Sequence, residues 1–154
     1  DLGRAGDVTS VATVPEDAQA RAIVVARAAG RIAGLPLVEA VMLKLAPDAQ
    51  IVPHARDGDT VEKKTSLMTI TGNARAVLAA ERTALNFAGH LSGVATATAS
   101  LVDRLKDTST RLVCTRKTTP GLRSLQKYAV RCGGGFNHRF GLDDEMLGRC
   151  VVGK

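Results

Sequence analysis

Residues 111–142, RLVCTRKTTPGLRSLQKYAVRCGGGFNHRFGL, read as a strand over Arg111–Thr115, a turn at Pro120-Gly121, and a helix over about Leu122–Arg131. A loop of three glycines and a second strand follow. Strand, loop, helix, loop, strand is how an α/β barrel begins. The stretch also holds seven Lys and Arg residues and no Asp or Glu, so the chain's formal excess of +6 is concentrated here. Such a cluster makes either a pocket for a small polyanion or a basic surface. The order of the residues argues for the pocket.

Upstream, residues 21–29 form a short apolar run suited to a strand, with a second brief strand expected at Arg31–Ala33. Leu35-Pro36 opens a helix, with Pro placed where its missing N–H does no harm. Val38, Val41, Met42 and Leu45 share one face, and Pro47-Asp48 ends the helix. Gln50–Ala55 and Ser66–Thr71 read as strands, joined through an Asp57-Gly58-Asp59 turn in which Asp bonds nearby backbone. The pattern of Gly58-Asp59, Val61, Leu67, Ile70 and Gly72 resembles half of the barrel in biotinyl and lipoyl modules, but no carrier lysine flanked by Met or Ala stands at a hairpin tip, which leaves it a structural role. From Asn73 to about Lys106 the chain is helical, and Gly89 and Gly93 predict two consecutive helices rather than one rod.

At 154 residues with 45% apolar and 23% charged content, the composition is that of a folded domain. A chain of this size can bury roughly 68–70% of its unfolded surface. No apolar run approaches the length of about 20 residues that spans a bilayer, and no basic-then-apolar leader opens the chain, so a cytoplasmic protein is expected. Cys114, Cys132 and Cys150 are odd in number, widely spaced and without a CxxC pair, which predicts inert or buried thiols rather than disulfides or zinc. Four aromatics and no Trp give little for stacking single-stranded nucleic acid.

Arg116-Lys117 follow the first barrel strand at its carboxyl end, where barrels carry their chemistry. A guanidinium there can grip a carboxylate through two parallel N–H bonds. The other reading is a solvated pair on a loop. Arg123, Lys127 and Arg131 recur every four residues opposite Leu122, Leu125 and Ala129, the pattern of a solvated basic face. The glycine triplet permits close backbone approach and unusual dihedrals. His138-Arg139 beyond it add a second cation and a side chain that both donates and accepts. Glu81-Arg82, on the long helical stretch, reads as an ion pair.

Taken together, residues 81–86 (ERTALN), 90–96 (HLSGVAT), 115–121 (TRKTTPG) and 127–139 (KYAVRCGGGFNHR) closely resemble the quinolinate phosphoribosyltransferase family, as does the opening 6–10 (GDVTS). Molybdenum-transport-associated paralogues share parts of this pattern, and the 127–139 run favours the quinolinate enzymes. The resemblance implies an α+β N-terminal sandwich domain (residues 1–107, with long helices) joined to the start of an α/β barrel (residues 108–154), the barrel being incomplete. It implies a homodimer or higher homo-oligomer and the reaction of quinolinate with phosphoribosyl pyrophosphate. The products would be nicotinate mononucleotide, pyrophosphate and CO2, a step of NAD biosynthesis using magnesium. Arg116, Lys117, Thr118, His138 and Arg139 would line the quinolinate site, and Arg82 would reach into a neighbouring subunit's site. No residue is assigned to covalent catalysis or to the metal, and neither nucleic acid nor membrane is expected as a partner.

The chain departs from the family pattern after Leu147, where Ile-Lys-Asp-Asn-His is usual and Gly148-Arg149-Cys150 stands instead. The expected substrate lysine is replaced, at best, by Arg149, and Lys64 occupies a turn position where glycine is common. Members run about twice this length, and this chain begins without Met. A truncated form is therefore expected, inactive alone. The alternative is a non-catalytic fragment that pairs with full-length subunits.

Overall fold

In the computed structural model residues 2–143 are described, and the divergent tail with Arg149 and Cys150 lies outside them. Asp7 opens the first helix, α1 (Val8–Thr13), its carboxylate accepting from the backbone N–H of Ser10 at 3.1 Å. That bond and the Ser10 hydroxyl hold the Asp7 carboxyl below its ordinary value, the hydroxyl contributing most.

A three-stranded antiparallel sheet follows, built from β1 (Gln19–Val25), β3 (Gln50–Pro53) and β5 (Ser66–Asn73) in the order β1-β5-β3. The register sets Ala22 and Ile51 on either side of Ile70, so the small and branched residues of one face fall together. A short ladder of β2 (Gly30–Arg31) with β4 (Thr60–Val61) lies beside it. Four of these strands are the expected ones with shifted ends, β1 beginning two residues early and stopping at Val25 and β5 running on to Asn73, while β4 was not expected.

Helix α2 (Leu35–Leu45) and the first half of helix α3 (Ala74–Leu105) cover that face. Val38, Met42, Met68, Ile70 and Ala84 form the heart of the resulting core. Asn73 caps α3 by accepting from Ala76 N at 3.1 Å. The 32 residues of α3 form one unbroken helix, against the expectation of two. Gly89 and Gly93 face open space within that continuous helix, while Ala84, Leu91, Ala95 and Thr98 are buried on the other side. Two exposed glycines cost about 0.5–1 kcal/mol each, and burial along the whole helix offsets that.

Ser92 and Thr96, one turn apart on α3, fasten the backbone beside β2. Ser92 Oγ bonds both the N–H and carbonyl of Ala33 at 3.1 Å, and Thr96 Oγ1 accepts from Arg31 N at 2.9 Å. In the Asp57-Gly58-Asp59 turn the expected bond to nearby backbone is made by Asp59, which accepts from Arg56 N at 2.8 Å. Asp57 does not serve its near neighbours but accepts from Gly34 N at 2.7 Å and Leu35 N at 3.0 Å, capping α2 from outside. Gly34, at φ 100°, has no side chain to do so. Lys64 does sit in a left-handed turn, at φ 74°, where glycine would be unstrained.

Beyond α3 the expected Arg111–Thr115 strand shortens to a single parallel bridge between Val113 and Phe136. Its hydrogen bonds run from Phe136 N to Leu112 O and from Cys114 N to Phe136 O, both at 2.9 Å. Between the two arms lies helix α4 (Arg123–Cys132), packed through Ala129 onto Leu91 and Ala95 of α3. This is one parallel β-α-β unit laid against the second half of α3.

The glycine triplet makes that seating possible. A Cβ on Gly133 would overlap the Ala95 carbonyl and meet Thr98 Cβ at 2.6 Å, and one on Gly135 would meet Val130 Cγ1 at 2.8 Å. Gly134 takes φ 85°. Among the described residues no helix is long and apolar enough to cross a membrane.

Candidate functional site

The carboxyl ends of the two bridged arms carry the cations expected to bind an anion. After the Val113 arm come Arg116, Lys117 and Thr118, and after the Phe136 arm come His138 and Arg139. A cavity of about 330 Å³ opens beside the first group, lined by Cys114, Thr115, Lys117, Thr118, Gln126 and Lys127 over an apolar floor that includes Val94 and Val130. Among the described residues no carboxylate lines it. Pockets that take small ligands begin at roughly this volume, with a few polar groups on apolar walls.

Lys117 is exposed at the rim, and its backbone N–H donates to Thr115 Oγ1 at 3.2 Å. Arg116 is half-buried, and its Nε is buried without a hydrogen-bond partner among the described residues. A buried N–H left without an acceptor costs about 1–3 kcal/mol, so an acceptor reaching it gains that much. His138 and Arg139 are half-buried on the second loop and do not line the cavity wall. Arg82 is exposed on α3, 12 residues before Val94, hence about 18 Å away along the helix axis. The chain thus brings together five of the six expected residues on two adjacent loops and leaves Arg82 apart.

Two side chains read from spacing as solvated are part of this region. Lys127 is 3% exposed, and its Nζ donates to the His138 carbonyl at 2.7 Å and to Cys114 Sγ at 3.0 Å. Arg123 is half-buried and donates to Thr118 Oγ1 at 3.1 Å and to the Phe140 carbonyl at 3.1 Å. Only Arg131 of that stripe is exposed as expected. An amphipathic pattern says that these three share a face, not that water covers it. The signal available in the sequence was the lack of any acidic residue near them.

The support behind the loops is polar as well. Gln126 accepts from Thr119 N at 2.9 Å and places its amide nitrogen 2.8 Å from His90 Nε2 on α3. On the far side of α4, Tyr128 donates to Asp57 at 2.9 Å, joining this helix to the cap of α2. Burial and then the Asp57 bond push the Tyr128 hydroxyl well above the ordinary tyrosine value. Burial also raises the neighbouring Cys132 thiol. Cys114 and Cys132 are free and half-buried, without a disulfide. Among the described residues no three His, Cys, Asp or Glu come together that could hold a metal ion.

Comparison with known proteins gives this architecture its family. The family model described as quinolinate phosphoribosyl transferase, N-terminal domain, matches residues 7–92, and its C-terminal counterpart matches 94–148. The nicotinate-nucleotide pyrophosphorylase (carboxylating) of Mycobacterium leprae is 42% identical over 149 residues, which are 96% of this chain and 52% of that protein. A tobacco relative, from Nicotiana tabacum, named quinolinate phosphoribosyltransferase (decarboxylating) 2a, mitochondrial, is 40% identical over 147 residues, 96% of this chain and 41% of its own. The solved nicotinate-nucleotide pyrophosphorylase of Francisella tularensis superposes with a TM-score of 0.86 at 42% identity, covering 90% of this chain and 50% of that one. The chain therefore spans about half the length of the relatives it matches, with the sandwich domain and the beginning of the barrel in it. This chain belongs to the quinolinate phosphoribosyl transferase family.

Proposed function

We propose that the protein to which this chain corresponds is a decarboxylating quinolinate phosphoribosyltransferase of NAD biosynthesis, and that this chain carries its quinolinate-binding half. The observation that carries the reading is a cavity with Lys117 and Thr118 on its wall and no carboxylate among its described lining residues, on the loop whose Arg116 keeps Nε buried without a partner among the described residues. Quinolinate has two adjacent carboxylates. Arg116 and Lys117 would hold one and His138-Arg139 the other, which favours the di-acid over the mono-acid nicotinate.

In the reaction the pyridine nitrogen forms a bond to C1 of the ribose as the C1–O bond to pyrophosphate breaks. The carbon passes through a cationic, oxocarbenium-like state, and pyrophosphate leaves with the bonding pair. The alkylated nitrogen is then positive and stabilises the electron pair left at C2 when that carboxylate departs as CO2. A proton from solvent restores the ring C–H. The side chains of this chain contribute position and charge rather than a covalent nucleophile.

Magnesium is expected with the phosphoribosyl pyrophosphate. The described residues offer no cluster that fits the ion, so no step runs through it here. We further propose a homodimer or higher homo-oligomer, in which the exposed Arg82 serves a neighbouring subunit's site, and a cytoplasmic location.

Calorimetric titration of quinolinate into the purified chain tests the reading, with nicotinate as control. Selective binding, weakened about 10- to 100-fold in Arg116→Ala, supports it. No binding by protein shown to be folded sinks it.

A further inference from the structure

The basic stripe of α4 meets both site loops, and we propose that Arg123 and Lys127 are positioning residues that set the separation of those loops. The inference rests on the quinolinate reading of residues 116–118 and 138–139. It adds a role for two side chains that need not touch the ligand.

The guanidinium of Arg123 spans the gap. Its Nε donates to Thr118 Oγ1 at 3.1 Å, its Nη2 to the Arg116 carbonyl at 3.5 Å, and its Nη1 to the Phe140 carbonyl at 3.1 Å. One helical turn later the Lys127 ammonium repeats the pattern, with Cys114 Sγ on the first arm and the His138 carbonyl on the second. Residues four apart on a helix lie on one face about 5–6 Å from each other, so the two cations form a double strut. Each reaches backbone belonging to a candidate ligand residue: the carbonyl of Arg116 in one case, that of His138 in the other.

The base of the strut is itself held. Ala129 is fully buried against α3, and Tyr128 is bonded to Asp57. Burying an ammonium carries a desolvation cost, and an apolar side chain of similar volume is often as stable or more so. What Lys127 supplies beyond volume is direction, a charge-assisted bond that fixes where His138 and Arg139 leave the helix-backed arm. A ligand with two adjacent carboxylates, one for each loop, is sensitive to that spacing in a way that a single-carboxylate ligand is not. Displacements on the order of 1 Å are enough to cost a site most of its effect.

The experiment combines amide hydrogen exchange with quinolinate titration on the full 154-residue chain and on Lys127→Met, Lys127→Arg and Arg123→Gln. We expect Lys127→Met and Arg123→Gln to speed exchange in 114–119 and 137–141 together, with β5 and the first half of α3 unchanged. Quinolinate affinity should fall about tenfold or more, and Lys127→Arg should recover part of both. If Lys127→Met does not fold, Arg123→Gln, at a half-buried position, decides the matter. Faster exchange in one loop only, or both loops loosened with quinolinate affinity unchanged, overturns the proposal. A parent chain that fails to bind quinolinate sinks the quinolinate reading and the positioning role with it. That result differs from failure of the strut, which leaves parent binding intact.

Discussion

Under the sheet, Val38, Met68 and Ile70 keep 2% or less of their surface, whereas around α4 Val113, Phe136 and Phe140 keep 43%, 49% and 51%. The same helix, α3, backs both regions. On the sheet side, packing of branched side chains decides geometry. On the α4 side, where apolar cover is thin, charged and neutral polar hydrogen bonds hold the loops: Arg123 and Lys127 to four backbone or side-chain acceptors and a thiol, Gln126 to Thr119, Tyr128 to Asp57. The sheet side should therefore suffer from lost volume, and the α4 side from lost charge or lost donors.

The sharpest way to break this contrast is a pair of truncations followed by urea unfolding. Ile70→Ala should cost about 3–4 kcal/mol, because Ile70 is fully enclosed between β1, β3 and the helices. Phe136→Ala should cost about 1 kcal/mol, the size of its contact with Arg111, whose guanidinium lies 5.0 Å from the ring centroid. Equal losses would show that the two regions are packed alike.

Tyr128→Phe probes the link between them. Loss of its bond to Asp57 should cost about 1 kcal/mol near neutral pH. The pH dependence has a sign. Burial raises the folded hydroxyl above its ordinary 10.0, so an unfolded chain releases this proton first. The contribution is complete below that ordinary value and is lost as pH rises toward the folded one. Above about pH 10 the parent should lose stability more steeply than Tyr128→Phe, read from denaturation midpoints. Parallel curves would remove Tyr128 from the joint.

The smallest effect is expected in the sheet region. Lys64 holds a left-handed turn at φ 74°, and Lys64→Gly should raise stability by about 0.5–1 kcal/mol. A loss on this substitution would mean that the Lys64 side chain has a role that its backbone does not reveal.

Much of this was legible in the residues. Helix α2 with its Pro36 start, the strands around Asp57-Gly58-Asp59, and the β-α-β order after Arg111 all follow from local pattern, since each is set by neighbours within a few positions. Two features were not legible, because each depends on what faces a side chain from far away in sequence. Gly89 and Gly93 predict a break, yet both lie on the open side of α3 where no neighbour asks the helix to bend. Arg123 and Lys127 have the spacing of a wet face, and only the return of residues 136–140 along the 112–114 arm turns that face inward. At the candidate site the residue types were readable from the ordered motifs. Which of them share a cavity, and that Arg82 lies about 18 Å away along α3, needed the fold.

The continuity of α3 has a consequence for how this chain tolerates change in length. A helix turns about 100° and advances about 1.5 Å with each residue. A one-residue insertion between Ala84, buried on the sheet side, and Leu91, buried beneath α4, would rotate every later side chain by more than a quarter turn. Ser92 and Thr96 would lose Ala33 and Arg31, and Gly133 would face a side chain in place of the Ala95 carbonyl. Like a keyed shaft, α3 transmits angular phase between its two ends. Variation along it is thus confined to exchange of one residue for another, and gain or loss of residues belongs to the loops.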